Sequence, residues 1–578
     1  MRRLFAAYLA ICALVWLVVW SVYRTPSFAP LTPTERAAIV ARVRRGDKPP
    51  EPTRITTGAT FLRDYGGRWK GDVVVARAPI IAAWEPLFAL SLVAGYDGIG
   101  VDAGGREAFL LPVELLQADA LAGQTPLSGA MDFELGARRD VIEHLLAGKL
   151  GLDDAAFART KKSWFRFRTD AFIESADRTR ILPVTRGNTP GPRLSSQALR
   201  DAAVAGGRYL LRHLYDDGRF GYEYTPATDK DEAYGLDYSL PRHAGATYFL
   251  SQIYGATKEQ AFRDGARRAL DFMAKRQPDN CGRADRSCVA NPDLPNVDLG
   301  AAAMALLAVG EFVRATGERA DLPWARRLAS FLLFMQKPSG DFCHLYNPIS
   351  DRRDEKTHLL YFTGEAALAL AKAAALVGPS DADYGRWIGA VDRALEYLTD
   401  TQYAHLAGQF YFGEDHWTCM AADAAWDALP PSHREKYARF CDGFVAFLRR
   451  TQFSPHDAIT AAQPDVVGSY GFSPFLPPHA TPVGSRSETT ISTYLMQQRR
   501  GGAAQSDDRY ASRETLEQIR LGMQFLLDHQ IRDDNAWLMA NPDAARGGFL
   551  MSDVKRYIRV DFVQHSCSAM LRAAALFQ

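Results

Sequence analysis

At 578 residues the chain is too long for one ordinary hydrophobic core, so two or three folded units are expected. Hydrophobic residues make up 47% of it, with 31 Pro and 45 Gly, which excludes an intrinsically disordered chain. Its 68 basic and 67 acidic residues leave a formal charge of +1, so nucleic acid and anionic surfaces are not expected partners.

The chain opens Met1-Arg2-Arg3 and then carries no charge from Leu4 to Tyr23. A run of this length, at about 1.5 Å per residue, spans the ~30 Å hydrocarbon layer, and Trp16, Trp20 and Tyr23 gather toward one boundary. A cleaved signal peptide is the rival, but it needs a small-residue cleavage site that Ser21-Val22-Tyr23-Arg24 does not supply. Residues 1–24 are therefore expected to be an uncleaved single-pass anchor in an inner membrane. Arg2 and Arg3 would be cytoplasmic and the bulk of the chain periplasmic or extracellular. Residues 25–53, Pro-rich and charged with a short helical patch near Glu35 to Arg45, read as a spacer from that membrane.

Residues 54–185 have the texture of a small α+β unit. Asp72 to Ala76 reads as a strand, Ala82 to Val93 as a helix, and Gly98 to Asp102 with Ala108 to Pro112 as two strands joined by a Gly-Gly turn. A helix from Leu135 to Leu150 and a strand from Ser163 to Thr169 complete it. The order of parts, DGIGV, then FLLP, then a helix ending KLGLDD and a basic-aromatic strand, resembles the AMMECR-like domain. That resemblance covers about a hundred residues, lacks the family's Gly-Cys-Ile-Gly signature, and implies a fold without a chemistry.

A linker over 186–194 leads into a helical remainder, 195–578, periodic on the scale of tens of residues. One set of helices is amphipathic and mostly ends in Gln: Ser196 to Leu214, Lys258 to Gln277, Leu322 to Gln336, Tyr384 to Gln402, Arg434 to Gln452 and Ser512 to Gln530. The other set is apolar almost all round: Ser239 to Tyr254, Val297 to Val313, Thr363 to Val377, Asp415 to Leu429, Ser485 to Gln498 and Asp561 to Phe577. Strict alternation of outer and inner helices predicts six helical hairpins in a ring, an (α/α)6 toroid. The run ARRLASFLLFMQKPSGDF, Ala325 to Phe342, resembles the Gln-Trp repeat of terpene-cyclase-like toroids, and the whole arrangement resembles the six-hairpin glycosidase superfamily. The Asp-rich motif that protonates squalene is absent, which counts against cyclase chemistry. The fold class is thus mainly α: a toroid preceded by a small α+β domain and an N-terminal transmembrane helix.

Of the seven cysteines, Cys281 and Cys288 bracket a short polar loop that a disulfide would close, as an oxidising exterior allows. Cys343, Cys419, Cys441 and Cys567 sit on apolar stretches and read as small buried side chains.

In a ring of hairpins the inner helices share one polarity, so their first turns converge on one rim. Asp237, Tyr238, Arg242 and His243 open the first inner helix, Asn296 and Asp298 the second, and Tyr361 and Glu365 the third, with Thr363 as its cap. Asp415, His416 and Trp417 open the fourth, Arg486 and Glu488 the fifth, and Asp561 with His565 the sixth. Acids in first turns are favoured by the helix dipole, and capping alone accounts for many of them, Asp298 above all. Capping does not ask for the histidines, arginines and aromatics beside them. A polar, aromatic, mixed-charge rim over an apolar barrel is what a sugar pocket needs.

Glycoside hydrolysis requires one acid held protonated and one carboxylate as base or nucleophile. Glu365, on an apolar helix that would raise its pKa, is the expected acid, and Asp415 the expected partner, with Asp237, Glu488 and Asp561 as replacements. Tyr222 and Glu223 precede the first inner helix and join Tyr238, Arg242, His243, Tyr361, His416, Trp417, Arg486 and His565 as expected substrate contacts. A lyase would use Tyr238 or His243 as base with Arg242 or Arg486 neutralising an acidic sugar, and an epimerase is a further variant. No Walker or dinucleotide motif is present, and Asp561 with His565 reads as a hydrogen-bonded pair, so neither cofactor nor metal is expected.

The expected function is an exported, membrane-anchored carbohydrate-active enzyme, a glycoside hydrolase or lyase acting on an envelope or extracellular polysaccharide or oligosaccharide. The alternative is a non-catalytic scaffold that holds a glycan or peptide within an envelope assembly.

Overall fold

A computed structural model describes residues 30–46, 60–83, 85–121, 136–232, 238–277, 283–291, 296–404, 415–471, 479–500 and 506–578, with a few isolated positions besides. The apolar run 4–23 lies largely outside the described residues; the parts within them, 10–14 and 17, are helical, and Ile11, Leu14 and Leu17 are exposed. Among the described residues one helix is long and apolar enough to cross a membrane, Leu299–Thr316, and it is buried among its neighbours.

The first unit is an antiparallel sheet. Its strands are β1 (Thr60–Tyr65), β2 (Arg68–Pro79), β3 (Asp97–Ala103), β4 (Arg106–Leu110) and β5 (Ser163–Glu174), in the order β1-β2-β5-β3-β4, with β6 (Ile181–Pro183) also on β5. Gly98 and Gly100 on β3 are where the rings of Phe167 and Phe165 on β5 cross the strand; a Cβ at either would come within 2.4 Å of a ring. Helix α1 (Pro33–Arg44) starts on a Thr32–Glu35 capping box. It buries Ile39 and Val40 against Val73 and Phe172, so this part of the expected spacer is docked on the sheet. The helix expected over 82–93 is only the short α2 (Glu85–Ala89). Two more short helices, α3 (Pro112–Gln117) and α5 (Asp154–Arg159), flank α4 (Arg139–Leu150), which covers Ile99, Val101 and Leu110 with Ile142, Leu146 and Leu150.

The rest is a ring of helical hairpins. The outer helices are α6 (Ser196–Arg212), α8 (Gln260–Ala274), α10 (Leu322–Met335), α12 (Tyr384–Tyr397), α14 (Pro431–Thr451) and α16 (Ser506–His529). The inner ones are α7 (Leu240–Thr257), α9 (Leu299–Thr316), α11 (Phe362–Val377), α13 (Trp417–Ala424), α15 (Ala480–Arg500) and α18 (Val560–Ala573), with a short α17 (Pro542–Ala545) between α16 and α18. Each inner helix touches the next, and α18 returns to α7, which closes the ring. The predicted toroid is therefore present, mainly helical and accompanied by a sheet unit.

The Gln-ended outer helices explain how the ring keeps its pitch. The side-chain amide of Gln336 donates to Gly340 O (3.1 Å) and to Ala390 O of the next outer helix (2.8 Å). Gln452 does the same to Gly468 O and Gln518 O, both at 3.1 Å. Gln530 reaches Gly547 O (3.1 Å) and Ala202 O (2.8 Å), which ties the last outer helix to the first. Gly340, Gly468 and Gly547 all have positive φ, and a Cβ at each would sit 2.1 Å from a carbonyl oxygen of the neighbouring outer helix. Only glycine fits there.

Cys281 and Cys288 are joined by a disulfide. A second joins Cys419 on α13 to Cys441 on α14, correcting the reading of these two as separate buried thiols. Helical spacing shows that each faces the interior, but not that the two interiors are the same one.

The two units share buried surface. Trp537 and Leu538 of the ring pack with Val74, Phe165 and Phe167 of the sheet, and the Tyr65 ring meets Trp537 edge-on at 4.9 Å.

Candidate active site

All six inner helices begin at one cavity of about 490 Å³. Its wall includes Tyr238 and Arg242 from the start of α7, Asp298 from α9, Tyr361, Phe362 and Glu365 from α11, His416 and Trp417 from α13, Thr481 and Ser485 from α15, and Asp561, Gln564 and His565 from α18.

Glu365 lies in the first turn of α11, buried, with Oε2 unpaired among the described residues. Burial pushes its carboxyl up to about 8; the negative charges of Asp298 and Asp415 add to the rise and Arg242 opposes it. Gly300 on α9 makes room for it, since a Cβ there would stand 2.8 Å from Glu365 Oε2. Thr363, expected from the sequence to cap this helix, does not do so. Thr363 lies inside the helix and bonds Asp341 (2.9 Å) and His344 (3.0 Å). Tyr361 holds the cap position at φ +78°, a strained backbone for an aromatic residue, and lines the cavity.

On the opposite wall His565 Nδ1 meets Glu488 Oε2 at 2.8 Å, leaving Nε2 as the ring nitrogen turned from the carboxylate. His416 Nε2 lies 3.8 Å from the same oxygen, and the two imidazoles meet edge to face at 4.9 Å. Glu488 is fully buried; burial would raise its pKa, but the hydrogen bond and charge of His565, with His416 and Arg572, hold it below the ordinary carboxylate value. His416, Glu488 and His565 bring three donor atoms within 4.8 Å of one another, as a cation site would. The 2.8 Å contact is shorter than the ~3.3 Å that two ligands of one tetrahedral zinc keep, so the geometry is that of a carboxylate–imidazole dyad.

Asp561 is buried and gripped by Arg559, Nε at 2.6 Å and NH2 at 3.0 Å, with Arg242 Nε at 3.3 Å. Against the effect of burial, these cations keep it ionised below its usual range. Asp298 caps α9 through Ala301 N (2.6 Å), yet burial lifts it to about 6, and it lines the cavity as well. Capping and cavity lining are thus one placement.

Other expected contacts stand behind the wall. Asp415 is buried beside it, its Oδ2 accepting from Tyr403 OH and from Thr418 Oγ1 (3.0 Å). Glu488 and Arg486 were expected in a first turn, but α15 begins at Ala480, since Pro482 is tolerated in the opening turn. Both therefore sit deeper: Arg486 donates Nε to Gly413 O (3.0 Å) and faces the Tyr470 ring. His243 is fully buried, bonded to Tyr238 OH (2.7 Å) and Ala269 O (2.9 Å), and burial lowers it to about 4. It supports Tyr238 from outside the cavity. Tyr222 is buried with its OH 2.5 Å from Arg242 NH1, and Glu223, on strand β7 (Glu223–Thr225), pairs in register with Arg559. Asp237 lies outside the described residues.

Sequence reasoning missed Arg559, Gln564 and Phe362. Arg559 belongs to a two-residue strand before α18, too short to show a period, and Gln564 reads as one more residue of a buried helix.

No protein-family model and no curated protein matches the chain. Solved structures do resemble it. A sugar epimerase from a ruminal bacterium is 14% identical over 66% of this chain and 98% of its own, with a TM-score of 0.47. Cellobiose 2-epimerase from Spirochaeta thermophila is 12% identical over 66% and 98%, at 0.46. A possible member of the GH105 family from Salmonella enterica is 11% identical over 68% and 97%, at 0.42. At such scores the fold assignment rests on the closed ring of inner helices itself.

Proposed function

We propose that the toroid cavity is the active site of a carbohydrate-active enzyme that cleaves a glycan, as a glycoside hydrolase or lyase. The observation that carries this reading is Glu365, a buried carboxyl at the cavity, protonated near neutral pH, facing a wall that bears a carboxylate-backed histidine. Glu365 protonates the departing glycosidic oxygen. His565, oriented by Glu488, takes the proton from water or from a sugar carbon, and Trp417 and Tyr361 supply ring faces for the sugar. Arg242 and Arg559 stand beside Asp561 where a uronate would bring its own carboxylate.

The test is Glu365→Gln, which keeps the shape and removes the acid. Turnover should fall by about 10²- to 10⁴-fold with ligand affinity retained. A glycan-binding scaffold would show no turnover in either protein, and that result would sink the enzymatic reading. A second reading, proton transfer at a sugar carbon without cleavage as in an epimerase, is favoured by the base being an imidazole rather than a second carboxylate. Turnover in deuterium oxide, read with the form of the product, separates them: deuterium on a product carbon means epimerisation, a new carbon–carbon double bond without deuterium means elimination by a lyase, and neither means hydrolysis.

Export and membrane anchoring belong to the same proposal. Two disulfides support an oxidising compartment. A protease-accessibility assay on intact spheroplasts checks it; a chain protected from added protease would contradict it.

A further inference from the structure

A second cavity, of about 610 Å³, lies where the sheet unit meets the ring, far in sequence from the toroid rim. Its wall draws on β2, β5, the segment after β6 and the ring loop before Asp465. Four cations line it, Arg36, Lys70, Arg168 and Arg186, against two carboxylates, Asp72 and Asp170. Lys70 is 2% exposed and Arg168 8%, so charged groups are held out of water around a space large enough for a small molecule.

The hydrogen-bond inventory of this wall is unbalanced. Asp170 accepts from Leu31 N (2.6 Å) and from Arg36 Nε (2.9 Å) and NH2 (3.0 Å). Asp72 accepts from Lys70 and from Thr169 Oγ1 (3.3 Å). Both carboxylates are thus engaged. Arg168 gives only Nε, to Asp97 Oδ1 at 2.8 Å, and its two terminal amino groups have no hydrogen-bond partner among the described residues. Lys70 uses one of three N–H groups and Arg36 leaves NH1. Each cation has a carboxylate partner, Arg36 with Asp170, Lys70 with Asp72, Arg168 with Asp97 and Arg186 with Asp465, so what the wall offers a guest is unused N–H groups on Arg168, Lys70 and Arg36 rather than a net positive charge. The Tyr96 ring meets both guanidinium groups, Arg168 at 5.2 Å and Arg186 at 4.8 Å from its centroid.

We infer that this cavity is a binding site, distinct from the toroid site, for a small molecule bearing an oxyanion. A carboxylate or phosphate would accept from Arg168 and Lys70, with Arg36 closing over it from α1. A sugar acid and a phosphorylated small molecule share this chemistry. Because Arg36 stands on the segment that follows the N-terminal apolar run, occupancy would also fix that segment against the sheet.

The experiment is calorimetric titration of the full chain, in detergent, with inorganic phosphate and with galacturonate separately. Each should bind, with the affinity falling steeply as sodium chloride is raised. Arg168→Gln should weaken phosphate binding at least tenfold, and Arg242→Gln, on the toroid cavity wall, should leave it unchanged. Since Arg168→Gln also disturbs Asp97, Arg36→Gln serves as a second variant, and each is read only if its thermal unfolding matches that of the parent. Phosphate without galacturonate assigns the site to phosphorylated ligands; galacturonate binding that Arg168→Gln weakens and Arg242→Gln does not, without phosphate, assigns it to sugar acids. No heat with either ligand overturns the proposal. So does phosphate binding that survives in folded Arg168→Gln and Arg36→Gln, or that is lost in Arg242→Gln.

Discussion

The chemistry of the toroid site turns on where single carboxyls are held. Glu365 and Asp561 line one cavity, one raised to about 8 by burial, the other kept low by two arginines. Under the proposed function, turnover should therefore be lost as pH rises through about 8, a pH dependence absent from Glu365→Gln. Stability carries the same signature. Between the ordinary 4.5 and about 8 the unfolded chain releases this proton while the folded chain retains it. Stability, the free energy of unfolding, should fall as pH rises through that window and level off above it. Urea denaturation across the range checks this, and Glu365→Gln should give a flatter profile; equal slopes would mean that Glu365 ionises normally. Glu365 was legible from its sequence, a lone acid opening an apolar helix. The roles of Asp415 and Glu488 were not, because Tyr403, Thr418 and His565, their partners, come from distant or differently bounded elements.

At the scale of elements, the repeated Gln at the end of outer helices and the Gly a few residues later act as one device. The amide clamps the loop to the next outer helix, and the glycine lets the backbones touch. Gly340→Ala should be costly, because Gly340 combines φ +95° with a Cβ 2.1 Å from Arg393 O. A loss of about 2–4 kcal/mol is expected by chemical denaturation, against less than about 1 kcal/mol for Gly385→Ala, where a Cβ meets nothing within 4 Å. Similar costs at the two positions would remove the clamp from the account. The periodicity that located these helices is readable because an outer helix exposes one face and an inner helix almost none. Boundaries were less readable: α13 is only Trp417–Ala424, and α15 starts five residues early, and that shift carried Glu488 off the cavity wall.

For the whole molecule, the joint between sheet and ring is as much a part of the fold as the ring. Trp537 is 9% exposed and sits in a cluster with Val74, Phe165 and Phe167. Trp537→Ala should cost about 3–5 kcal/mol and split thermal unfolding into two transitions seen by calorimetry. A single unchanged transition would show that the units do not stabilise each other. The amino-acid sequence by itself determined the ring: alternating amphipathic and apolar helices have nowhere to bury their faces except in concentric layers. It also placed acids, histidines and aromatics at the starts of the inner helices. Only the tertiary structure decided which of them share a cavity, that Cys419 pairs with Cys441, and that a donor-rich space opens between the two units. Those outcomes depend on contacts between residues hundreds of positions apart, and local periodicity carries no information about them.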